Sequence, residues 1–257
     1  MMTTIKEFLK DNLQVKIYSD RREMGTSAAN FAAQCLRELL RQKEEVNIIF
    51  AAAASQLEFL EAIILEKDIE WNRVNAFHMD EYTGLPVSHP QRFGNFLNEK
   101  IFSKLPLKKV YYLNEDGDDT GAESTRYAAL LQKMPPDITF MGIGENTHLA
   151  FNDPHVADFN DPVLVKIIDL DEPCKLQQVH DGCFATIADV PSYAYTLTIP
   201  ALLQSAHIFC MVPGKNKAQA VKYTLTEDIS AKYPSTSLRN HPDAILFLDQ
   251  DSAAFIL

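Results

Sequence analysis

His78-Met79-Asp80-Glu81-Tyr82 places an imidazole, two neighbouring carboxylates and a phenol directly behind the apolar run 74–77. Burial at a strand end raises a carboxylate toward the pKa of a working base, so Asp80 and Glu81 are candidates for moving protons. The same pair can instead cap a helix or form ion pairs. A second concentration of chemistry, Gly142-Ile143-Gly144-Glu145-Asn146-Thr147-His148-Leu149-Ala150-Phe151-Asn152-Asp153-Pro154, follows the run 138–141. Gly142 and Gly144 permit close backbone approach to a ligand. His148, with Asn146 before it and Asp153 after it, has the makings of a proton carrier oriented by an acid; a lone histidine also serves as a packing residue. The stretch is not a dinucleotide fingerprint, because Thr147 stands where the third glycine belongs.

Two further segments suit an anion. Ala52-Ala53-Ala54-Ser55-Gln56 follows the run 46–51, and Pro213-Gly214-Lys215-Asn216-Lys217-Ala218 follows the run 208–212. A helix starting near Lys217 sets an ammonium and free backbone N–H groups side by side, a phosphate-binding arrangement; alternatively, Lys215 and Lys217 merely keep a turn solvated. No Gly-x-Ser-x-Gly elbow, Walker loop, His-Glu-x-x-His pair or other metal motif occurs. The chemistry left is acid–base catalysis without a metal.

Groups this far apart meet only if a regular scaffold gathers them. Apolar runs at 46–51, 74–77, 110–113, 138–141, 163–168, 195–199, 208–212 and 244–248 read as buried strands. Helical periodicity fills 28–40, 57–65, 93–102, 123–132 and 217–225. This alternation predicts an α/β fold: an open, mostly parallel, doubly wound, Rossmann-like sheet with helices on both faces. Ligands of such sheets bind beyond the carboxyl ends of the strands, where all four segments lie. The acidic stretch 115–119 reads as a solvated loop, and 155–191, the least regular stretch, as a mobile flap.

A chain of 257 residues, 46% hydrophobic and 23% charged, can bury one large core and is read as one domain, 1–257. Its net charge of −11 argues against nucleic acid and anionic membranes as partners. Without a signal peptide or a membrane-spanning run, it is expected to be cytoplasmic. Cys35, Cys174, Cys183 and Cys210 show no Cys-x-x-Cys spacing and read as reduced thiols, mostly buried packing residues.

Met79-Asp80-Glu81-Tyr82-x-Gly84-Leu85-Pro86 with His89-Pro90, and Gly142-x-Gly144 through His148-x-Ala150-Phe151-Asn152-Asp153-Pro154, resemble the two signature segments of the glucosamine-6-phosphate deaminase/isomerase family. The resemblance continues through Leu197-Thr198-Ile199-Pro200 and Gly214-x-x-Lys217-Ala218 to His241-Pro242, covering nearly the whole chain. It implies a phosphosugar substrate, an aminohexose 6-phosphate such as glucosamine or galactosamine 6-phosphate. With water this becomes a ketohexose 6-phosphate and ammonia, without a cofactor. Asp80 then corresponds to the base that moves a proton between C2 and C1, with Glu81 beside it. His148 corresponds to the group assisting ring opening, supported by Asn146 and Asp153. Ala54, Ser55, Gln56, Gly142, Gly144 and Lys217 would line the substrate and phosphate site. The family includes monomers and hexamers, so a homo-oligomer is compatible with it.

The chain departs from the family pattern at four places. Ala52-Ala53-Ala54 replaces a glycine-rich loop and must avoid positive φ. Asn146 replaces an aspartate, Asp153 replaces a glutamate one methylene longer, and no flap arginine has a counterpart in Lys175-Leu176-Gln177-Gln178-Val179-His180-Asp181-Gly182. Two other readings stay open: a sugar-phosphate lactone hydrolase of the 6-phosphogluconolactonase type, and a sugar-phosphate sensor without turnover.

Overall fold

The computed structural model describes residues 4–115, 120–180 and 182–257; positions 116–119 of the acidic stretch lie outside the described residues. The elements run β1 (Lys6–Lys10), β2 (Leu13–Tyr18), α1 (Arg21–Gln42), β3 (Val46–Phe50), α2 (Leu57–Leu65), β4 (Val74–His78), β5 (Asp80–Tyr82), α3 (Phe93–Lys100), β6 (Lys109–Tyr111), α4 (Thr120–Lys133), β7 (Ile138–Met141), β8 (Val165–Asp169), α5 (Glu172–His180), β9 (Tyr193–Leu197), α6 (Ile199–Leu203), β10 (His207–Val212), α7 (Ala218–Thr226) and β11 (Ala244–Asp249).

The central eight-stranded sheet has the order β1-β2-β11-β10-β7-β3-β4-β6. Every neighbouring pair in it is parallel except the β1–β2 hairpin. Successive side chains of its strands enter opposite cores, which is why they read as unbroken apolar runs. Ile48 and Phe50 pack with α1, α2 and α3 through residues such as Leu36, Leu60 and Leu97. Ile49 and Ala51 face the other side, against Tyr127, Leu202 and Val221 of α4, α6 and α7. The expected doubly wound sheet is thus present.

Two predicted strands belong elsewhere. The runs at 163–168 and 195–199 become β8 and β9, which join β5 in a separate three-stranded antiparallel sheet in the order β5-β9-β8. Apolar, β-branched composition marks a strand but not its partner. The irregular stretch 155–191, expected to be a mobile flap, also contains α5. A third cluster under it, including Tyr82, Phe93, Phe151, Ile168 and Cys174, seats α5 and the small sheet over the carboxyl edge.

Candidate active site

β4 ends in the central sheet at His78 and, after Met79 alone, β5 begins the small sheet at Asp80. Asp80 therefore sits at the corner between the two sheets. His78 is fully buried, and its Nε2 accepts a hydrogen bond from the Leu113 N–H at 2.9 Å. The ring proton must then lie on Nδ1, which donates to the Asp80 carbonyl at 2.9 Å. Burial drives the His78 pKa down to about 4, so this histidine is a neutral strut that holds the backbone of Asp80.

The Asp80 side chain is 8% exposed and faces the cleft. Burial, then the neighbouring charge of Glu81, pushes its carboxyl well above the usual carboxylate range. Consecutive strand residues point in opposite directions, and Glu81 accordingly turns away. Its carboxylate accepts N–H groups of Tyr82, Phe93 and Gly94, each at 3.0 Å, and lies 3.5 Å from Arg92 Nε. The expectation of a catalytic Glu81 is corrected: it is fully buried, anchors the first turn of α3, and reaches the chemistry through its charge on Asp80.

The loop behind β7 holds His148 by local strain and hydrogen bonds. Thr147 (φ 73°) and Ala150 (φ 52°) flank it in the left-handed region, of order 1–3 kcal/mol each for such residues. Asn146 Oδ1 accepts the His148 N–H at 3.1 Å, and its amide donates to Asp153 Oδ1 at 2.8 Å. The same oxygen accepts from His148 Nδ1 at 2.9 Å, so Nε2 is the nitrogen turned to the cleft. Asparagine thus serves as a bridge between the pair, and the shorter Asp153 reaches the imidazole. Burial raises the Asp153 carboxyl, but His148 and Asn146 outweigh it and hold it below its ordinary value. The ring lies directly on Gly144, where an added Cβ would come within 2.1 Å of Nε2.

On the cleft wall, the alanine loop takes an extended path (Ala53 φ −150°, ψ 154°) into a 3-10 turn, Ala54–Gln56, that runs on into α2. Ala54 and Ser55 line the cleft beside the start of this helical run, where backbone N–H groups favour an anion. Gln56 does not: it is 1% exposed, and its amide donates to Ser55 Oγ at 3.0 Å and Met211 O at 3.2 Å. Its expected phosphate contact is corrected to a brace for Ser55. Gly142 leaves room for that brace, since a Cβ there would meet Gln56 Nε2 at 3.1 Å. Opposite, Gly214 adopts φ 99°, and Asp249 accepts its N–H at 3.0 Å. This turn sets Lys217, 6% exposed, on the cleft wall.

Among the cleft residues outside the expected site set are Arg21, Gln177, Gln178 and Cys183. Arg21, the first residue of α1, bonds Glu58 and the Ala54 carbonyl, and only its place after the Asp20 helix cap hinted at it. Gln177 and Gln178 come from α5, within the flap segment noted above for lacking an arginine, and Cys183 follows them. Cys174 and Cys210 are buried as expected, whereas Cys35 and Cys183 are partly exposed. The cleft encloses about 220 Å³. Among the described residues, donor atoms of His148, Asp153 and Cys174 come within 4.8 Å of one another, but the first two are already joined by a hydrogen bond.

A mostly parallel sheet with Asp80, His148, Ser55 and Lys217 gathered around one cleft at its carboxyl edge is the arrangement of an α/β enzyme with a small-molecule substrate. The family model for glucosamine-6-phosphate isomerases/6-phosphogluconolactonase matches residues 19–246, and the chain belongs to that family. It is 32% identical over 212 residues to a glucosamine-6-phosphate deaminase of Listeria monocytogenes, covering 82% of this chain and 88% of the relative. It is 33% identical over 204 residues to the deaminase of Streptococcus uberis, covering 79% and 85%. Among solved structures, a monomeric glucosamine-6-phosphate deaminase superposes with TM-score 0.85 at 26% identity, covering 93% of this chain and 98% of that one. The 6-phosphogluconolactonase of Thermotoga maritima shares the fold, with TM-score 0.75 at 19% identity over 92% and 99%.

Proposed function

We propose that this enzyme converts glucosamine 6-phosphate, or its galactosamine counterpart, and water into a ketohexose 6-phosphate and ammonia. The observation that carries the reading is Asp80: a buried carboxylate with a raised pKa that faces the cleft, whose wall also carries Ser55 and Lys217 as candidate phosphate contacts. His148 Nε2 assists opening of the sugar ring. Asp80 then takes the proton from C2 of the open-chain aldehyde and returns it to C1, while O1 gains a proton and the amine nitrogen loses one. The resulting C2 imine is hydrolysed, water supplying the ketone oxygen and nitrogen leaving as ammonia. An enolisation of this kind needs a base stronger than an ordinary carboxylate, which burial provides. The segment 155–191 acts as the cover of the cleft, with Gln177 and Gln178 of α5 facing the substrate.

Purified protein given glucosamine 6-phosphate and galactosamine 6-phosphate is expected to release ammonia from at least one of them. Absence of ammonia from both, with hydrolysis of 6-phosphogluconolactone above the spontaneous rate, would overturn the proposal in favour of the lactonase branch.

A further inference from the structure

α5 brings a third group to the His148–Asp153 pair. Asp153 Oδ1 is shared by two donors, His148 Nδ1 and Asn146 Nδ2, whereas Oδ2 of the same fully buried carboxylate has no hydrogen-bond partner in this arrangement. Buried carboxylate oxygens rarely go without one. The group set against Asp153 is the Cys174 thiol, with a sulfur and an oxygen from the two side chains and the His148 ring nitrogen mutually within 4.8 Å. Sulfur is a long, weak donor, so the contact is looser than the bonds to Oδ1.

Cys174 suits this place on both sides. It is 1% exposed, does not line the cleft, and packs its apolar body among Tyr82, Phe93 and Phe151. Burial, reinforced by the charges of Asp153 and Asp171, pushes the thiol well above its ordinary pKa, so it stays a protonated donor. Its own backbone N–H is fixed by Asp171 Oδ1 at 2.8 Å, which locks the first turn of α5.

We propose that Cys174 is a positioning residue whose thiol donates to Asp153 and so couples the seating of α5 over the cleft to the orientation of His148. The His148–Asp153 pair is then complete only while the helix that carries Gln177 and Gln178 is docked. The catalytic consequence rests on the acid–base reading of His148 given above. The hydrogen bond itself does not.

The groups bearing on Asp153 are His148 and Asn146 of its own loop, Asp171 and Cys174 at α5, and His155, whose ring nitrogens lie 3.6 Å from Asp169 and Asp171; Asp80 acts on Cys174 from β5. Removing one donor from a carboxylate held below its ordinary pKa must raise its titration midpoint. Titration of the Asp153 carboxyl by carbon NMR on aspartate-labelled protein is therefore expected to move up by about half a pH unit in Cys174→Ala and in the near-isosteric Cys174→Val. In Cys174→Ser it is expected to return to the wild-type position. Equal midpoints in wild type, alanine and valine variants overturn the proposal, even if melting temperatures differ, since a packing role alone moves only the latter. If Cys174→Ala does not fold, the valine and serine variants decide the matter. In the ammonia assay kcat is expected to fall about 3- to 10-fold for alanine and valine, with KM nearly constant and serine recovering most of kcat. A wild-type protein that releases no ammonia defeats the proposed function and leaves the NMR result to judge Cys174.

Discussion

The burial that raises the Asp80 carboxyl, and that suits it to the role of base proposed above, also opposes folding. A carboxyl whose folded pKa is raised contributes stability below its unfolded pKa and loses that contribution as pH rises through the folded value. Asp80→Asn removes the loss. It is expected to lower kcat about 10²- to 10⁴-fold in the ammonia assay while raising the melting temperature at neutral pH and flattening its decline above acid pH. A variant that stays active, or that melts below wild type, contradicts the role given to this side chain. Gly144 carries a second residue-scale prediction. The Cβ of Gly144→Ala would displace the His148 ring, so kcat is expected to fall about 100-fold with an unchanged circular dichroism spectrum. At this scale the sequence reading could single out Asp80, His148 and Asp153 as candidates because imidazoles and carboxylates behind apolar runs are visible in one dimension. It misjudged Glu81 and Gln56 because each neighbours a cleft residue in sequence but points elsewhere, a matter of side-chain direction.

At the scale of elements, the active corner depends on α3 being held against β5. Glu81 does this through the backbone N–H groups of Phe93 and Gly94 and through Arg92, itself only 4% exposed. Glu81→Ala leaves that guanidinium buried without its carboxylate, which costs roughly 3–5 kcal/mol. Urea unfolding is expected to show this loss. The folded fraction at low temperature should still deaminate, unlike Asp80→Asn; complete inactivity in well-folded Glu81→Ala would return Glu81 to the catalytic set. Most helices and parallel strands were legible because their apolar periodicity is strong. β5, at Asp80–Tyr82, was hidden because so short and polar a strand is defined by pairing with β9, not by composition. α5 was hidden by the aspartates, proline and glycines around it.

At the scale of the molecule, binding and stability are linked, because a ligand held only by the folded state stabilises it. At about 100 times its Kd a phosphosugar adds roughly 2.7 kcal/mol, or about 5–10 °C in a domain of this size. Thermal melting with and without the ketohexose 6-phosphate product is expected to show that shift, with most of it lost in Lys217→Ala. An undiminished shift in Lys217→Ala would place the phosphate elsewhere. Among the described residues no helix is long and apolar enough to cross a membrane.

The order of residues along the chain determined the parallel α/β sheet and the two signature segments at its carboxyl edge. Burial periodicity and the chemistry of individual side chains are local properties that a sequence displays directly. Tertiary structure alone decided that Asp80 faces the cleft and Glu81 does not. It also decided that Asn146 can bridge a shorter aspartate to His148, and that a cysteine on α5 stands behind that pair. Each of these depends on the direction of a side chain and on partners distant in sequence, and neither exists until the sheets have packed.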